Sequence, residues 1–125
     1  MSNDTKPEVN IPTTDAPADL VLEDEVVGTG AEATSGHTVE VHYVGVSWSD
    51  GNQFDASWDR DETFSFHLGA GHVIPGWEQG VEGMREGGRR RMTIPPALGY
   101  GSSGAGGVIK PNETLVFVVD LMSVH

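Results

Sequence analysis

The chain has 125 residues, enough for one small domain with its own core. Nineteen acidic and seven basic residues give a formal net charge of -12, which repels phosphate backbones and anionic membranes. The absence of cysteine excludes disulfides and thiolate-bound metals. No apolar run reaches the roughly 20 residues of a membrane-spanning helix, and the N-terminus has no signal-peptide core. We therefore expect a cytoplasmic monomer with neither nucleic-acid nor membrane partners.

The first part of the chain lacks the features of a folded segment. Residues 1–19 are polar and non-periodic, with Pro7, Pro12 and Pro17 among Asp, Asn, Thr and Glu. A segment of this composition buries too little apolar surface to offset the entropy lost on ordering. The sequence therefore predicts a flexible N-terminal tail over residues 1–19 and a folded domain over residues 20–125.

Strand patterns dominate the predicted domain. Apolar and polar residues alternate in several short runs bounded by Gly, Asn, Asp or Pro, and Asp50-Gly51 is typical of a hairpin turn. In one run Val39, Val41 and Tyr43 fall on the same face. The most apolar run lies near the C-terminus and is expected at the sheet centre. The predicted strands cover residues 20–27, 38–46, a short segment opened by Phe54, and residues 63–68, 89–94 and 114–124.

One segment has a helical pattern. It begins at Pro75 or Gly76, where proline suits a first turn, and Trp77, Val81 and Met84 recur at helical spacing. Two glycines within it weaken the helix, so tertiary packing must hold it. The pattern predicts an α+β fold in which an antiparallel sheet wraps over one short helix.

A glycine-rich loop over residues 97–111 contains a motif that resembles a nucleotide site. Gly99–Gly104 has the spacing G-x-G-x-x-G, which binds dinucleotides only where it joins a strand to a helix. Here Pro95-Pro96 separates the motif from the preceding strand, and further glycines follow it. We interpret the segment as a flexible loop and expect no nucleotide cofactor.

The charged and nucleophilic residues also suggest no reactive site. His67 and His72 are five residues apart where a strand gives way to a loop, which is not a metal-ligand spacing, so we expect no metal. Ser102 and Ser103 lack the context of a nucleophile elbow. We interpret Arg89–Arg91 as part of a strand with two arginines on its solvated face rather than as a nucleic-acid patch.

The aromatic residues could be core or could line a site. Composition alone favours a core, but Tyr100 lies in the glycine-rich loop, and Asp55 and Arg60 follow closely after Phe54. An apolar concavity with a few convergent polar groups is typical of a small-molecule site.

Five segments, in order and with nearly standard spacing, resemble the signature blocks of the FKBP family of macrolide-binding prolyl isomerases. The resemblance covers about residues 20 to 124. It implies the family fold, an antiparallel half-wrapped sheet of five to six strands around one short α-helix. The matching blocks are Val41–Gly45 (VHYVG), Phe54–Arg60 (FDASWDR), Val73–Met84 (VIPGWEQGVEGM), Gly99–Gly101 (GYG) and Thr114–Leu121 (TLVFVVDL).

The family resemblance also implies a function. The chain would be a peptidyl-prolyl cis/trans isomerase that assists protein folding, with proline-containing polypeptides as substrates and rapamycin- or tacrolimus-type macrolides as ligands. Two alternatives remain open: a module that binds proline segments or macrolides with little turnover, and a folding chaperone. The segment Gly101–Pro111 is too short to hold the inserted domain of strongly chaperoning members, which argues against the second.

Carried over by position, the resemblance implies the site residues. Trp77 would form the pocket floor, Asp55 would be held by Arg60 and Tyr43, and the Ile74 backbone N–H would bind the ligand. The loop over the pocket, or flap, departs from the common family pattern at Ala105 and Lys110. The implied catalytic residues are Tyr43, Phe54, Asp55, Trp77, Tyr100 and Phe117, and the implied ligand-binding residues are Arg60, Phe64, Val73, Ile74, Ala105 and Ile109.

Overall fold

A computed structural model describes residues 5–125; the first four residues of the predicted tail lie outside the described residues. Within that range six antiparallel strands form one sheet in the order β1-β5-β6-β2-β3, and β4 pairs with β2. None of the helices described in residues 5–125 is long and apolar enough to cross a bilayer. The elements are β1 (Val21–Val26), β2 (Thr38–Ser47), β3 (Gln53–Ala56), β4 (Phe64–His67), α1 (Pro75–Val81), β5 (Arg89–Ile94) and β6 (Leu115–Val124), with 3₁₀ turns at Ser57–Arg60, Pro96–Leu98 and Gly101–Ser103.

The sheet is built around its last strand. β6 pairs with β2 on one side and with β5 on the other, so the most apolar run of the sequence lies at the centre as predicted. On the opposite edge of β2, the first half of the strand pairs with β4 and the second half with β3. The α+β prediction of a sheet with one short helix is confirmed.

Helix α1 packs against one face of the sheet, here called the inner face, at two glycines. A Cβ atom on Gly76 would lie 2.5 Å from Cγ2 of Ile94, and one on Gly80 would lie 2.3 Å from the sulfur of Met92. Gly76 and Gly80 therefore allow the helix backbone to approach β5 closely. Of the two glycines expected to weaken the helix, Gly80 makes this contact and Gly83 lies beyond the end of the helix. The helix ends at Val81, three residues earlier than the pattern predicted.

The opposite, outer face of the sheet is also apolar. Val44, Val46 and Ala56 form a second buried cluster there, and Val9 and Ile11 of the N-terminal segment pack against it. Antiparallel sheets commonly leave one face to water, so this covering distinguishes the fold from a simple two-layer packing of sheet and helix.

The arginines of β5 differ from the prediction of a solvated face. The side chain of Arg89 is only 13% exposed and pairs at 2.7 Å with the fully buried Asp120 of the neighbouring strand. Arg91 donates to the backbone carbonyl of Asn10 at 2.7 Å. The prediction failed because a buried carboxylate requires a cationic partner, and because the N-terminal segment reaches this face.

Close packing at Gly76 predicts a specific stability defect. Replacing Gly76 with Ala should raise helix propensity but force Cβ into the buried Ile94 side chain, so we expect a loss of about 1–3 kcal/mol in the free energy of unfolding. Urea denaturation measures the effect, with Gln79→Ala on the exposed side of the same helix as the control. A Gly76→Ala protein as stable as the Gln79→Ala protein would contradict the packing argument.

Candidate functional site

A concavity of about 400 Å³ opens between helix α1, the inner face of the sheet and the flap. Its walls come from four strands and two loops and its floor from the helix, so no single sequence segment creates it. The residues that line it are Tyr43, Phe54, Asp55, Phe64, Gly71, His72, Val73, Ile74, Trp77, Tyr100 and Phe117.

Aromatic rings in edge-to-face contact form the floor and walls. The ring centroid of Trp77 lies 5.1 Å from that of Tyr43 and 5.3 Å from that of Phe117, with nearly perpendicular planes. Phe54 meets Phe117 in the same way at 5.4 Å. Such contacts fix ring orientations and add to the energy of burial. The concavity is therefore a preformed apolar surface rather than a gap between mobile side chains.

A bulge in β3 places two neighbouring residues on the same wall. The register of β2 with β3 shifts between Gly45, which pairs with Asp55, and Val46, which pairs with Gln53. Consecutive residues of a regular strand point to opposite faces, but a bulge redirects one of them. Phe54 and Asp55 both line the concavity as a result.

Three polar side chains form a connected group at one edge of the aromatic wall. The Tyr43 hydroxyl donates to Asp55 Oδ2 at 2.5 Å, and Arg60 donates to Asp55 Oδ1 at 2.6 Å and to the Tyr43 oxygen at 3.0 Å. Arg60 reaches them from the 3₁₀ turn that follows β3. The predicted arrangement of Asp55 between Arg60 and Tyr43 is present in the structure.

The group favours one protonation state of each member. Partial burial would raise the pKa of Asp55, but hydrogen bonds from Tyr43 and Arg60 outweigh it and hold that pKa below its ordinary value. Burial and the neighbouring Asp55 carboxylate raise the pKa of Tyr43. Hydrogen bonds to Asp55 and Tyr43 raise the pKa of Arg60. An ionised carboxylate and a neutral phenol are therefore the stable forms near neutrality.

Polar hydrogens also occur around the apolar surface. Ile74 lies before the first turn of α1, and its N–H has no acceptor within the described part of the chain. The Trp77 indole N–H is buried and likewise lacks an acceptor among residues 5–125. Tyr100 of the flap is 41% exposed. A ligand with an apolar ring flanked by carbonyl groups would match this distribution of donors.

The predicted site residues fall into two groups in the structure. Nine line the concavity, and Arg60 lies behind it as the partner of Asp55. Ala105 and Ile109 are not among the lining residues: they form a short antiparallel bridge in the flap, and Ile109 is buried against the core. Their role in ligand binding stays a prediction.

Two lining residues were not predicted. Gly71 and His72 lie in the loop before α1, and the Gly71 N–H donates to Glu78 Oε2 at 3.2 Å. Neither belongs to a periodic pattern, so only their position just before the block that begins at Val73 could have identified them. Within residues 5–125 no group of three or more His, Asp or Glu side chains could hold a metal ion.

The lowered pKa of Asp55 predicts a pH-dependent effect on stability. At pH 7, Asp55→Asn should reduce the free energy of unfolding by about 1 kcal/mol, because the neutral amide loses the charged interaction with Arg60. In the wild type the folded state keeps the carboxylate ionised at lower pH than the unfolded chain, so this contribution is present above about pH 4 and is lost as the pH falls through the folded-state pKa.

Urea unfolding at pH 7 and pH 2.5 tests this prediction, with Asp15→Asn at an exposed position as the control. The difference between wild type and Asp55→Asn should shrink in acid. A difference that stays constant across this range would show that the Asp55 charge does not stabilise the folded state.

Comparisons with known proteins agree with the fold. The sequence model of the family described as FKBP-type peptidyl-prolyl cis-trans isomerase matches residues 30–122. An FK506-binding protein of Streptomyces anulatus is 56% identical over 120 residues, covering 95% of this chain and 97% of the relative. A probable FK506-binding protein of Corynebacterium glutamicum is 50% identical over 118 residues, covering 94% and 98% of the two chains.

Solved structures with the same fold include two of moderate sequence identity. The crystal structure of AtFKBP13 matches with a TM-score of 0.78 and 38% identity, over 88% of this chain and 96% of that one. FkpA from Escherichia coli matches with a TM-score of 0.76 and 39% identity over 95% of this chain, which spans about half (52%) of FkpA. With its fold, its aromatic pocket and these relatives in agreement, the chain belongs to the FKBP family.

Proposed function

We propose that this protein is a peptidyl-prolyl cis/trans isomerase that speeds rotation about X-Pro bonds in unfolded or partly folded polypeptides. The observation that carries the proposal is the aromatic concavity over Trp77, whose Ile74 and Trp77 N–H donors have no acceptor within residues 5–125. Family membership supports the same activity. That the protein acts as a cytoplasmic monomer stays a prediction from the sequence.

Rotation of an X-Pro bond is slow because the amide is planar. Delocalisation of the nitrogen lone pair sets a barrier of about 18–20 kcal/mol, so uncatalysed exchange takes tens to hundreds of seconds. In the twisted amide this delocalisation is lost, and its carbonyl dipole is smaller than in either planar form. A water-poor apolar pocket therefore disfavours the twisted form less than the planar ones, and this difference lowers the barrier.

The lining residues have distinct roles in this mechanism. Trp77, Phe54 and Phe117 enclose the proline ring, which removes water from the rotating bond. The Ile74 N–H and the Tyr100 hydroxyl bind carbonyl groups on either side, so one end of the amide stays fixed while the other turns. Each tenfold gain in rate requires the activation free energy to fall by about 1.36 kcal/mol. A few such contacts are therefore sufficient for a rate gain of several powers of ten.

No proton transfer or covalent intermediate is required. Rotation changes neither the number of bonds nor the charge of the substrate, and the lowered pKa of Asp55 makes this carboxylate a poor base. Asp55 instead fixes the Tyr43 ring through the hydroxyl and gives the wall its local field. We expect Asp55→Asn to retain a substantial part of the activity, whereas loss of the floor should not be tolerated.

Macrolide binding is a second function of the same pocket. Two close relatives are named as FK506-binding proteins, one of them as a probable one, and they align over nearly the whole chain. A macrolide would occupy the surface that otherwise encloses proline, so it should compete with peptide substrates. The alternative, a binding module with little turnover, would use the same pocket and would differ from the isomerase only in the rate of catalysed X-Pro exchange.

Substitutions in the floor and wall test the proposed activity. Trp77→Leu and Phe54→Ala should each lower kcat/KM for an X-Pro peptide by at least about tenfold, since a loss of roughly 1.4 kcal/mol of transition-state stabilisation is enough. A protease-coupled or NMR exchange assay measures it, with Val27→Ala at a 73% exposed position as the control.

The outcomes separate the alternatives. Unchanged exchange in both pocket variants, with each variant folded, would refute this pocket as the catalytic site. Peptide binding by the wild type without faster exchange would indicate the binding module instead. A macrolide that quenches tryptophan fluorescence in the wild type should lose affinity for both variants.

A further inference from the structure

The N-terminal segment lies against the face of the sheet opposite the pocket. Residues 5–11, here called the strap, place Val9 and Ile11 on the outer cluster of Val44, Val46 and Ala56. These two strap residues are partly buried, while the alternate residues Glu8 and Asn10 are exposed. The alternation matches an extended segment with one apolar side, which is how such a segment gains burial energy on a sheet.

Polar contacts hold both ends of the strap. Arg89 donates to the Thr5 carbonyl at 2.9 Å, and Arg91 donates to the Asn10 carbonyl at 2.7 Å. Lys6 pairs with Asp59 at 2.9 Å. Thr5 and Asn10 are thereby joined to β5 and Lys6 to the 3₁₀ turn Ser57–Arg60, so the strap lies on the outer face of the sheet.

The 3₁₀ turn has one side on the strap and the other at the pocket. On the outer side Trp58 packs against the outer cluster and stacks on His42 at 4.1 Å between ring centroids. On the pocket side Arg60, two residues later, donates to Asp55 and Tyr43. Because the turn has only four residues, Trp58 and Asp59 lie within two residues of Arg60.

The base of the turn is attached firmly to the sheet. The Ser57 hydroxyl is fully buried, accepts from the Tyr43 N–H at 2.7 Å and lies 2.8 Å from His42 Nδ1. Ser57 therefore fixes the start of the turn, while the outer contacts of Trp58 and Asp59 fix its far end. Without the strap, the far end would lose the Lys6–Asp59 pair, and it would keep the packing of Trp58 on the outer cluster, the Trp58–His42 stack and the Asp59–Gln53 hydrogen bond of 2.7 Å.

We propose that the strap is a positioning element for the pocket: by clamping the outer side of the Ser57–Arg60 turn, it holds Arg60 on Asp55 and Tyr43. The match to the family sequence model begins at residue 30, so the strap lies outside it. The proposal gives a fixed position to residues that composition predicts to be flexible. Its catalytic consequence rests on the proposed isomerase function.

A pair of matched double variants of the full chain tests the proposal. Val9→Ser with Ile11→Ser removes the apolar contacts of the strap, and Glu8→Ser with Asn10→Ser changes the exposed positions that alternate with them. We expect the first pair to lower kcat/KM by roughly fivefold, because small misplacements of a site group reduce rate strongly. The second pair should leave it unchanged. Assays run well below the unfolding temperature separate this effect from loss of folded protein.

A spectroscopic measurement reports on Arg60 directly. Two acceptors hold its guanidinium in the wild type, which slows rotation about the Nε–Cζ bond and should keep the two Nη signals of Arg60 separate in ¹⁵N NMR spectra. In the Val9→Ser, Ile11→Ser protein these signals should merge. If that protein does not fold, Lys6→Gln, which removes only the exposed pair with Asp59, should move both readouts in the same direction by a smaller amount.

Each outcome decides the proposal. A strap variant that loses stability but keeps both kcat/KM and separate Nη signals would show that the strap only stabilises the fold. Equal effects from both double variants would also overturn the proposal. If the wild type does not catalyse exchange at all, the proposed function fails, and the Arg60 signals alone then decide whether the strap positions the turn.

Discussion

The close contact between helix α1 and β5 is the constraint on which the rest of the structure depends. Because Gly76 and Gly80 have no side chains, the helix backbone lies directly against Ile94 and Met92. This depth determines where Trp77 stands, and Trp77 is the floor of the pocket. Any residue that lifted the helix would raise the floor as well. The same contact therefore packs the core and sets the shape of the site. The helix is short and has poor intrinsic propensity, but only small residues at Gly76 and Gly80 permit this close approach.

A second close approach shapes the wall above that floor. Gly45 lies in the second half of β2, and a Cβ there would come within 2.6 Å of Phe54 and 2.7 Å of Phe117. The space of the absent side chain is used by two aromatic rings. The adjacent bulge then turns Asp55 toward the same side as Phe54. An aromatic wall and its carboxylate thus arise from one irregularity in the strand pairing, opposite one glycine.

Sequence patterns predicted the elements but not these irregularities. Alternation and turn residues predicted the strand bounds to within a few residues and identified the central strand correctly, because the periodicity of apolar residues reflects which face of a strand is buried. Periodicity could not separate pocket aromatics from core aromatics, since both are apolar; the family resemblance made that distinction. The bulge at Phe54 depends on pairing between strands. The burial of Arg89 depends on Asp120, 31 positions away, and on a segment whose composition predicts no structure.

The few basic residues mainly form ion pairs that connect distant parts of the chain. Within residues 5–125, six of the seven basic residues form ion pairs with acidic partners. Two of these ion pairs lie at the edges of the site. Arg60 pairs with Asp55 in the wall, and Lys110 of the flap pairs with Asp50 at 3.2 Å. Exposed pairs of this kind are weak and screened by salt, whereas the buried pair of Arg89 is screened much less. The site therefore has a rigid floor held by packing, and a rim whose position depends on solvent-exposed charges.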